Sequence, residues 1–301
     1  MERNEFLNRE FTNTLRGVAI LLIMAGHIGA GGYHCRIFTP LGGIGVAMFL
    51  FLSGYGLTES YKTNGLAHFW RKKALRILIP YAVWLLVYHL VFTLSPLTPP
   101  SLKPLFLPRY WFVEYLALWY LLFYVLWRWS TQHVLVLMGV AAVFMFFLMP
   151  SNTQSEQSLS FLLGVLVSVR KEQFRQVRSN RFCLTAVCLL TVGLTALAVK
   201  QVPEFRSLGE DSLPMRCVQL LLKFPIAAAM MIFLSLLRVR GVQPLVFIGV
   251  MSFELYLVHM PFYGGIDGNS LNMLLFLVQS FVLAYLVFWC DKRITTIFRS
   301  C

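Results

Sequence analysis

The chain has 301 residues, 58% of them hydrophobic and only 13% charged, with a mean hydropathy of +0.69. A water-soluble chain carries roughly a quarter of its residues as Asp, Glu, Lys or Arg, so ordinary soluble domains are excluded. Long unbroken apolar runs such as Ala82 to Leu94 and Leu274 to Trp289 exclude a transmembrane β-barrel, whose short strands alternate polar and apolar residues, and the expected fold class is an all-α polytopic membrane protein.

A spanning helix takes about 20 apolar residues. The apolar runs predict about ten transmembrane helices, near residues 13 to 33, 42 to 61, 75 to 95, 110 to 129, 133 to 150, 158 to 169, 182 to 200, 217 to 237, 244 to 263 and 271 to 291. The first run has no small-residue cleavage site behind it and leads directly into the second, so it reads as a retained span and not a secretory leader. Ten crossings use the whole length, and residues 1–301 are expected to form one integral membrane domain without a separate soluble one.

The net charge of +13 is explained by where the charges fall. With both termini on one side, the connections there hold eighteen Lys and Arg residues, against six (Arg36, Lys103, Arg109, Lys200, Arg206 and Arg216) on the other. The positive-inside rule makes both termini cytoplasmic, and the expected location is the cell inner membrane, as a multi-pass protein. Anionic lipid is then a generic partner, and no nucleic acid is expected. The six cysteines show no metal-like spacing, no metal is expected, and their placement in or beside apolar runs suits reduced core residues. Of the outer connections, Ser95 to Pro108 carries five prolines and predicts an extended cap, while Val202 to Pro214 is the longest polar stretch. No internal repeat marks a transporter of paired halves.

An ionisable group near the bilayer centre costs at least ~2.5 kcal/mol, so such groups mark candidate sites. Arg16 and His27 lie eleven residues apart in the opening helix. At about 100° and 1.5 Å per residue they share a face and stand roughly 16 Å apart, a cation at the cytoplasmic interface and an imidazole deeper in. A histidine titrates near neutrality and takes a proton from a hydroxyl. The plainer alternative is a satisfied core histidine and an arginine that only sets topology.

At the mouth of the third span, Lys72 with Arg76 and Lys73 with Arg76 have helical-neighbour spacing, suited to clamping anionic phosphates or to a positive-inside signal alone. Glu114 lies just beyond Trp111, and Glu254 and His259 fall within Ser252-Phe253-Glu254-Leu255-Tyr256-Leu257-Val258-His259. These acids either orient a histidine, bind substrate hydroxyls, or pair with Arg16 or Lys223.

Arg16 followed after ten residues by His27, the run Gly42-Gly43-Ile44-Gly45-Val46-Ala47-Met48-Phe49-Leu50-Phe51-Leu52-Ser53-Gly54-Tyr55-Gly56, the basic mouth of span three, and the Glu254 to His259 stretch together resemble the acyltransferase 3 family of integral membrane acyltransferases. The resemblance runs over nearly the whole chain in the family's order. Many members have Gly-Val-Asp or Gly-Val-Pro before two phenylalanines; here Ala47 fills the acidic or proline position and Leu50 the second aromatic one, so no carboxylate is expected in that element. No appended hydrolase-like domain is expected after Cys301.

The resemblance implies transfer of an acyl group, most often acetyl, from acyl-coenzyme A (acetyl-CoA) to a sugar hydroxyl of a surface polysaccharide or glycolipid. Arg16, Lys72, Lys73 and Arg76 would bind the cofactor's phosphates. His27 would act as general base or as an acylated intermediate, with Glu114 the second catalytic candidate. Ser53, Tyr55, Trp111, Glu254 and His259 are the candidates for holding substrate, Ser53 as donor to a developing oxyanion, although a Ser-Gly-Tyr turn also serves close helix packing. A second copy of the chain or a polysaccharide-assembly protein stands as a further partner. The alternative class is a transporter or flippase for a lipid-linked sugar or small anion, using the same buried groups without covalent chemistry.

Overall fold

The computed structural model describes residues 7–32, 38–90, 110–237, 239, 241–265 and 269–300. The proline-rich connection, Cys35, Cys301 and the basic residues Arg3, Arg36, Lys103, Arg109, Arg238 and Arg240 lie outside them. Among the described residues every regular element is helical. α1 (Arg9–His27) runs into a π-helical turn (Ile28–Gly32), and α2 (Pro40–Asn64) follows. α3 (Phe69–Lys73), a second π-helical turn (Ala74–Leu78) and α4 (Ile79–Tyr88) form one continuous run. Then come α5 (Trp111–Trp129), α6 (Val134–Leu148), α7 (Asn152–Ser155), α8 (Ser158–Val169), α9 (Lys171–Gln176), α10 (Ser179–Gln201), α11 (Pro203–Ser207), α12 (Leu213–Leu236), α13 (Gln243–Val250), α14 (Ser252–His259), a 3₁₀ turn (Met260–Gly265) and α15 (Ser270–Ser300).

A helix stands at each position where a span is expected. Among the described residues five are long and apolar enough to cross a membrane by themselves, Arg9–Ala30, Pro40–Asn64, Ser179–Gln201, Leu213–Leu236 and Ser270–Ile297; the pair Gln243–Val250 and Ser252–Tyr263, bent by 65° at its break, is either a broken span or a re-entrant loop. The others are shorter or less apolar. The 12 residues of α8 rise only about 18 Å at 1.5 Å each, against about 30 Å of hydrocarbon.

The chain divides into two compact units. The first comprises Met1–Gly26, Ile37–Leu66 and Trp111–Gly249. In lipid, apolar side chains gain nothing by leaving an apolar solvent, so helices associate through close backbone approach at small residues. Gly54 of α2 lies against the Phe161 carbonyl of α8, and Gly164 of α8 against the Phe51 carbonyl of α2. The glycine-rich start of α2 is used in the same way, Gly42 against Gly26, Gly45 against the Ala19 carbonyl, and Gly43 beneath the Lys223 side chain. Trp119 of α5 stacks on Phe161 with ring centroids 5.0 Å apart. Outward faces are apolar: α10 buries only Ala186, Gly193 and Ala196 and exposes Leu184, Val187 and Leu194, as a lipid-facing helix does.

The cysteines depart from expectation in burial. Cys183, Cys188 and Cys217 are free but exposed, and Cys290 is half-buried. They sit on the outer sides of apolar helices, where lipid in place of water asks for no polar side chain.

The second unit comprises His27–Arg36, Ala67–Tyr110 and Val250–Cys301. Its core is built from Trp84 of α4, Leu255 and Val258 of α14, and Phe276 and Val287 of α15, all buried. Tyr110 ties it together: its hydroxyl accepts from Trp84 Nε1 at 2.8 Å and donates to the Leu257 carbonyl at 2.8 Å. Buried in an apolar core, such groups must satisfy one another.

Candidate active site

In the second unit, His27 and His259 meet. Their rings lie 5.3 Å apart between centroids, and the Tyr263 ring stands 4.6 Å from that of His27. His27 is the last residue of α1 and partly exposed, whereas His259 is fully buried at the end of α14. His259 Nδ1 donates to the Leu255 carbonyl at 2.9 Å. That bond fixes the tautomer, leaving Nε2 as a lone-pair acceptor with no hydrogen-bond partner among the described residues. Phe276 and Tyr256 close edge-on over the His259 ring.

Glu254, five residues back on α14, is also buried and has one carboxylate oxygen, Oε2, without a hydrogen-bond partner among the described residues. Asp291, Arg76 and Lys292 lie within electrostatic range of it. Arg76 stands in the second π-helical turn and, like Lys72, is exposed, while Lys73 is half-buried with its ammonium 5.6 Å over the Phe69 ring. The sequence expectation placed Lys72, Lys73 and Arg76 by α-helical spacing. The π turn, with its i to i+5 bonds, widens the helix between Lys73 and Leu78 and rotates Arg76 away from that register.

In the first unit, Arg16 is half-buried on α1; its guanidinium donates to Asn13 Oδ1 at 3.2 Å and lies beside Gly56 of α2. α1 is unbroken from Arg9 to His27, so the eleven-residue spacing is carried on one continuous helix. Glu114 is exposed and Trp111 half-buried in the first turn of α5. Ser53 is half-buried in mid α2 and Tyr55 buried. Tyr55 hydrogen-bonds Lys171, which also bonds Glu59 Oε2 at 2.9 Å. Burial pulls Lys171 down, but its bonds and charges from Glu59 and Tyr55 outweigh this and raise it above its ordinary value. The same Glu59 accepts from Lys62 and from the Ser168 hydroxyl, pinning the end of α2 to the end of α8.

Lys223 pairs with Glu156, a buried residue of the segment between α7 and α8, and not with Glu114 or Glu254. Sequence reasoning also missed Tyr263 and Tyr110. Tyr263 lies one turn beyond His259, a spacing that would have marked it; Tyr110, at the edge of a proline-rich stretch, carries no such sign.

The acyltransferase domain model of the acyltransferase 3 family matches residues 9–290. The chain belongs to the acyltransferase 3 family. The activity of this acyltransferase 3 protein, in general terms, is acyl transfer at a membrane. The match takes in Arg16, His27, the basic run of α3 and the Glu254–His259 helix. No curated protein and no solved structure matches the chain at a significant level.

Proposed function

We propose that the protein transfers an acyl group, acetyl in particular, from acyl-coenzyme A on the cytoplasmic side to a hydroxyl of a surface polysaccharide or glycolipid sugar. In this reading all ten helical segments cross the inner membrane and both termini are cytoplasmic. The observation that carries it is the cluster of His27, His259 and Tyr263, formed at the end of the helix that also bears Arg16 at the family's spacing.

The phosphates of coenzyme A are assigned to Arg16 and to Lys72, Lys73 and Arg76, through charge-assisted hydrogen bonds. His27 takes the proton of the sugar hydroxyl as its oxygen attacks the thioester carbonyl. The tetrahedral adduct then collapses, the carbon–sulfur bond breaks, and the departing thiolate recovers the proton from the imidazolium. His259 is held rigid by its Leu255 bond and presents an acceptor nitrogen beside this step, suited to receiving a second substrate hydroxyl. Glu254 serves as a further acceptor, and Ser53, Tyr55 and Trp111 remain assigned to substrate by the family resemblance alone.

His27→Ala tests the reading. General base catalysis contributes typically ~100 to 10,000-fold, so well-folded variant with normal coenzyme A binding should retain at most about one per cent of the thiol release seen when parent protein receives acetyl-coenzyme A and acceptor. Transfer above about a tenth of the parental rate would remove His27 from the chemistry and make Glu114 or His259 the next candidate. A flippase would release no thiol even as the parent protein.

A further inference from the structure

His27 stands half-buried at the very end of α1, where a side chain is held only by what packs against it. Two rings of the second unit do so. His259 lies 5.3 Å away between centroids and is tilted by 43°; Tyr263 lies at 4.6 Å and 55°. Among the described residues no ring contact joins His259 to Tyr263, so the two take different sides of the imidazole.

The chain explains how Tyr263 comes to stand there. Four residues of α-helix turn through about 400°, so a continued α14 would set Tyr263 within about 40° of His259, over the same face. Pro261 stands between them. It has no N–H to offer the Leu257 carbonyl four residues back, and α14 ends at His259 in the 3₁₀ turn Met260–Gly265. At three residues per turn the same four steps carry the chain through about 480°, which swings Tyr263 roughly 120° away from His259. The carbonyl orphaned by Pro261 is taken up by Tyr110, whose hydroxyl donates to it at 2.8 Å while accepting from Trp84 Nε1 at 2.8 Å. The break in the helix is thus tied to α4, and Tyr263 rides on an anchored turn.

We infer that Tyr263 is a positioning residue for His27: its ring holds the imidazole in the orientation from which it takes the proton and lies within reach of the imidazolium that the transfer creates. The inference rests on the proposed role of His27 as base. Aromatic rings attract in tilted geometries at such separations, and a cation within about 6 Å of a tyrosine centroid is drawn to the ring. A general base must also stay within hydrogen-bond reach of the hydroxyl it deprotonates. His259 restrains the imidazole on one side only, and Tyr263 supplies the second restraint.

The test uses full-length protein in lipid nanodiscs, acetyl-coenzyme A and envelope polysaccharide stripped of acyl esters by mild alkali, with thiol release as the rate. Tyr263→Leu should lower kcat about tenfold, within the span of an aromatic contact to a cation, and leave both KM values within about twofold. Tyr263→Phe keeps the ring and should recover at least about half of the parental kcat. Should Tyr263→Leu fail to insert, Tyr263→Met, flexible and of similar bulk, carries the same expectation. Diethyl pyrocarbonate, which acylates neutral imidazole, adds a readout free of turnover. Mass spectrometry of the His27 peptide should show modification several-fold faster in Tyr263→Leu and near the parental rate in Tyr263→Phe.

Parental kcat in Tyr263→Leu, equal loss in Tyr263→Phe, a change confined to KM, or equal modification rates in all three proteins would each overturn the inference. Equal loss in Tyr263→Phe would assign the effect to the hydroxyl, and a change in KM alone would make Tyr263 a substrate contact. The two readings fail separately. Transfer that survives in His27→Ala ends the proposed role of His27 and with it the task of Tyr263, whereas transfer that needs His27 but ignores Tyr263 ends this inference alone. A parent that transfers nothing ends the proposed function, and the modification rates then decide whether Tyr263 holds His27.

Discussion

One methyl group separates two kinds of glycine in this chain. A Cβ on Gly164 would run into the Phe51 carbonyl, and one on Gly54 into the Phe161 carbonyl, whereas a Cβ on Gly139 of α6 meets nothing within 4 Å. Gly164→Ala should therefore force α2 and α8 apart and cost about 1–3 kcal/mol, the usual penalty of overpacking. Gly139→Ala should leave stability unchanged or raise it by up to about 1 kcal/mol, since alanine loses less backbone entropy in a helix. Thermal unfolding of both variants in one detergent checks the pair, and equal midpoints would show that the α2–α8 crossing is not close-packed. The same contacts explain why a Leu-Ser-Gly-Tyr element reads ambiguously in sequence. Its glycine is required by packing whatever Ser53 does, so the motif alone does not separate chemistry from construction.

At the scale of elements, the run from α3 through the π turn to α4 combines exposed Lys72 and Arg76 with half-buried Lys73. Replacing both Lys73 and Arg76 by alanine should weaken coenzyme A binding roughly a hundredfold or more, at about 1.5 kcal/mol or more for each hydrogen bond to a charged group. An unchanged dissociation constant would leave these residues to topology. Helix positions were legible because apolar runs announce them directly, and Arg16 and His27 because one continuous helix preserves their spacing. The π turn was not legible: a single wide turn leaves no periodic trace in so short a run. Nor were the long-range partners. Lys223 could be seen to need a carboxylate, but nothing in its neighbourhood chooses Glu156 over Glu114 or Glu254, because that choice is made by the packing of helices remote in the chain. The meeting of His27 with His259 belongs to the same class.

At the scale of the whole molecule, the decisive quantity is which side of the membrane each connection faces. The outward apolar faces of α10 and α15, with Leu184, Leu194, Leu274 and Val282 exposed, are consistent with lipid on their flanks but are blind to orientation, since a helix is equally apolar read from either end. Charge supplies the direction: eighteen basic residues are expected on the side of the termini and six on the other, and each Lys or Arg resists transfer outward during insertion. Reporter fusions after Asn64 and Gln176 should accordingly give a cytoplasmic signal, and fusions after Asn152 and Glu210 an external one. Opposite signals at Asn152 and Glu210 would break the expected order of crossings between α7 and α12. An external signal at Gln176 with a cytoplasmic one at Glu210 would invert α10 and overturn the count of ten.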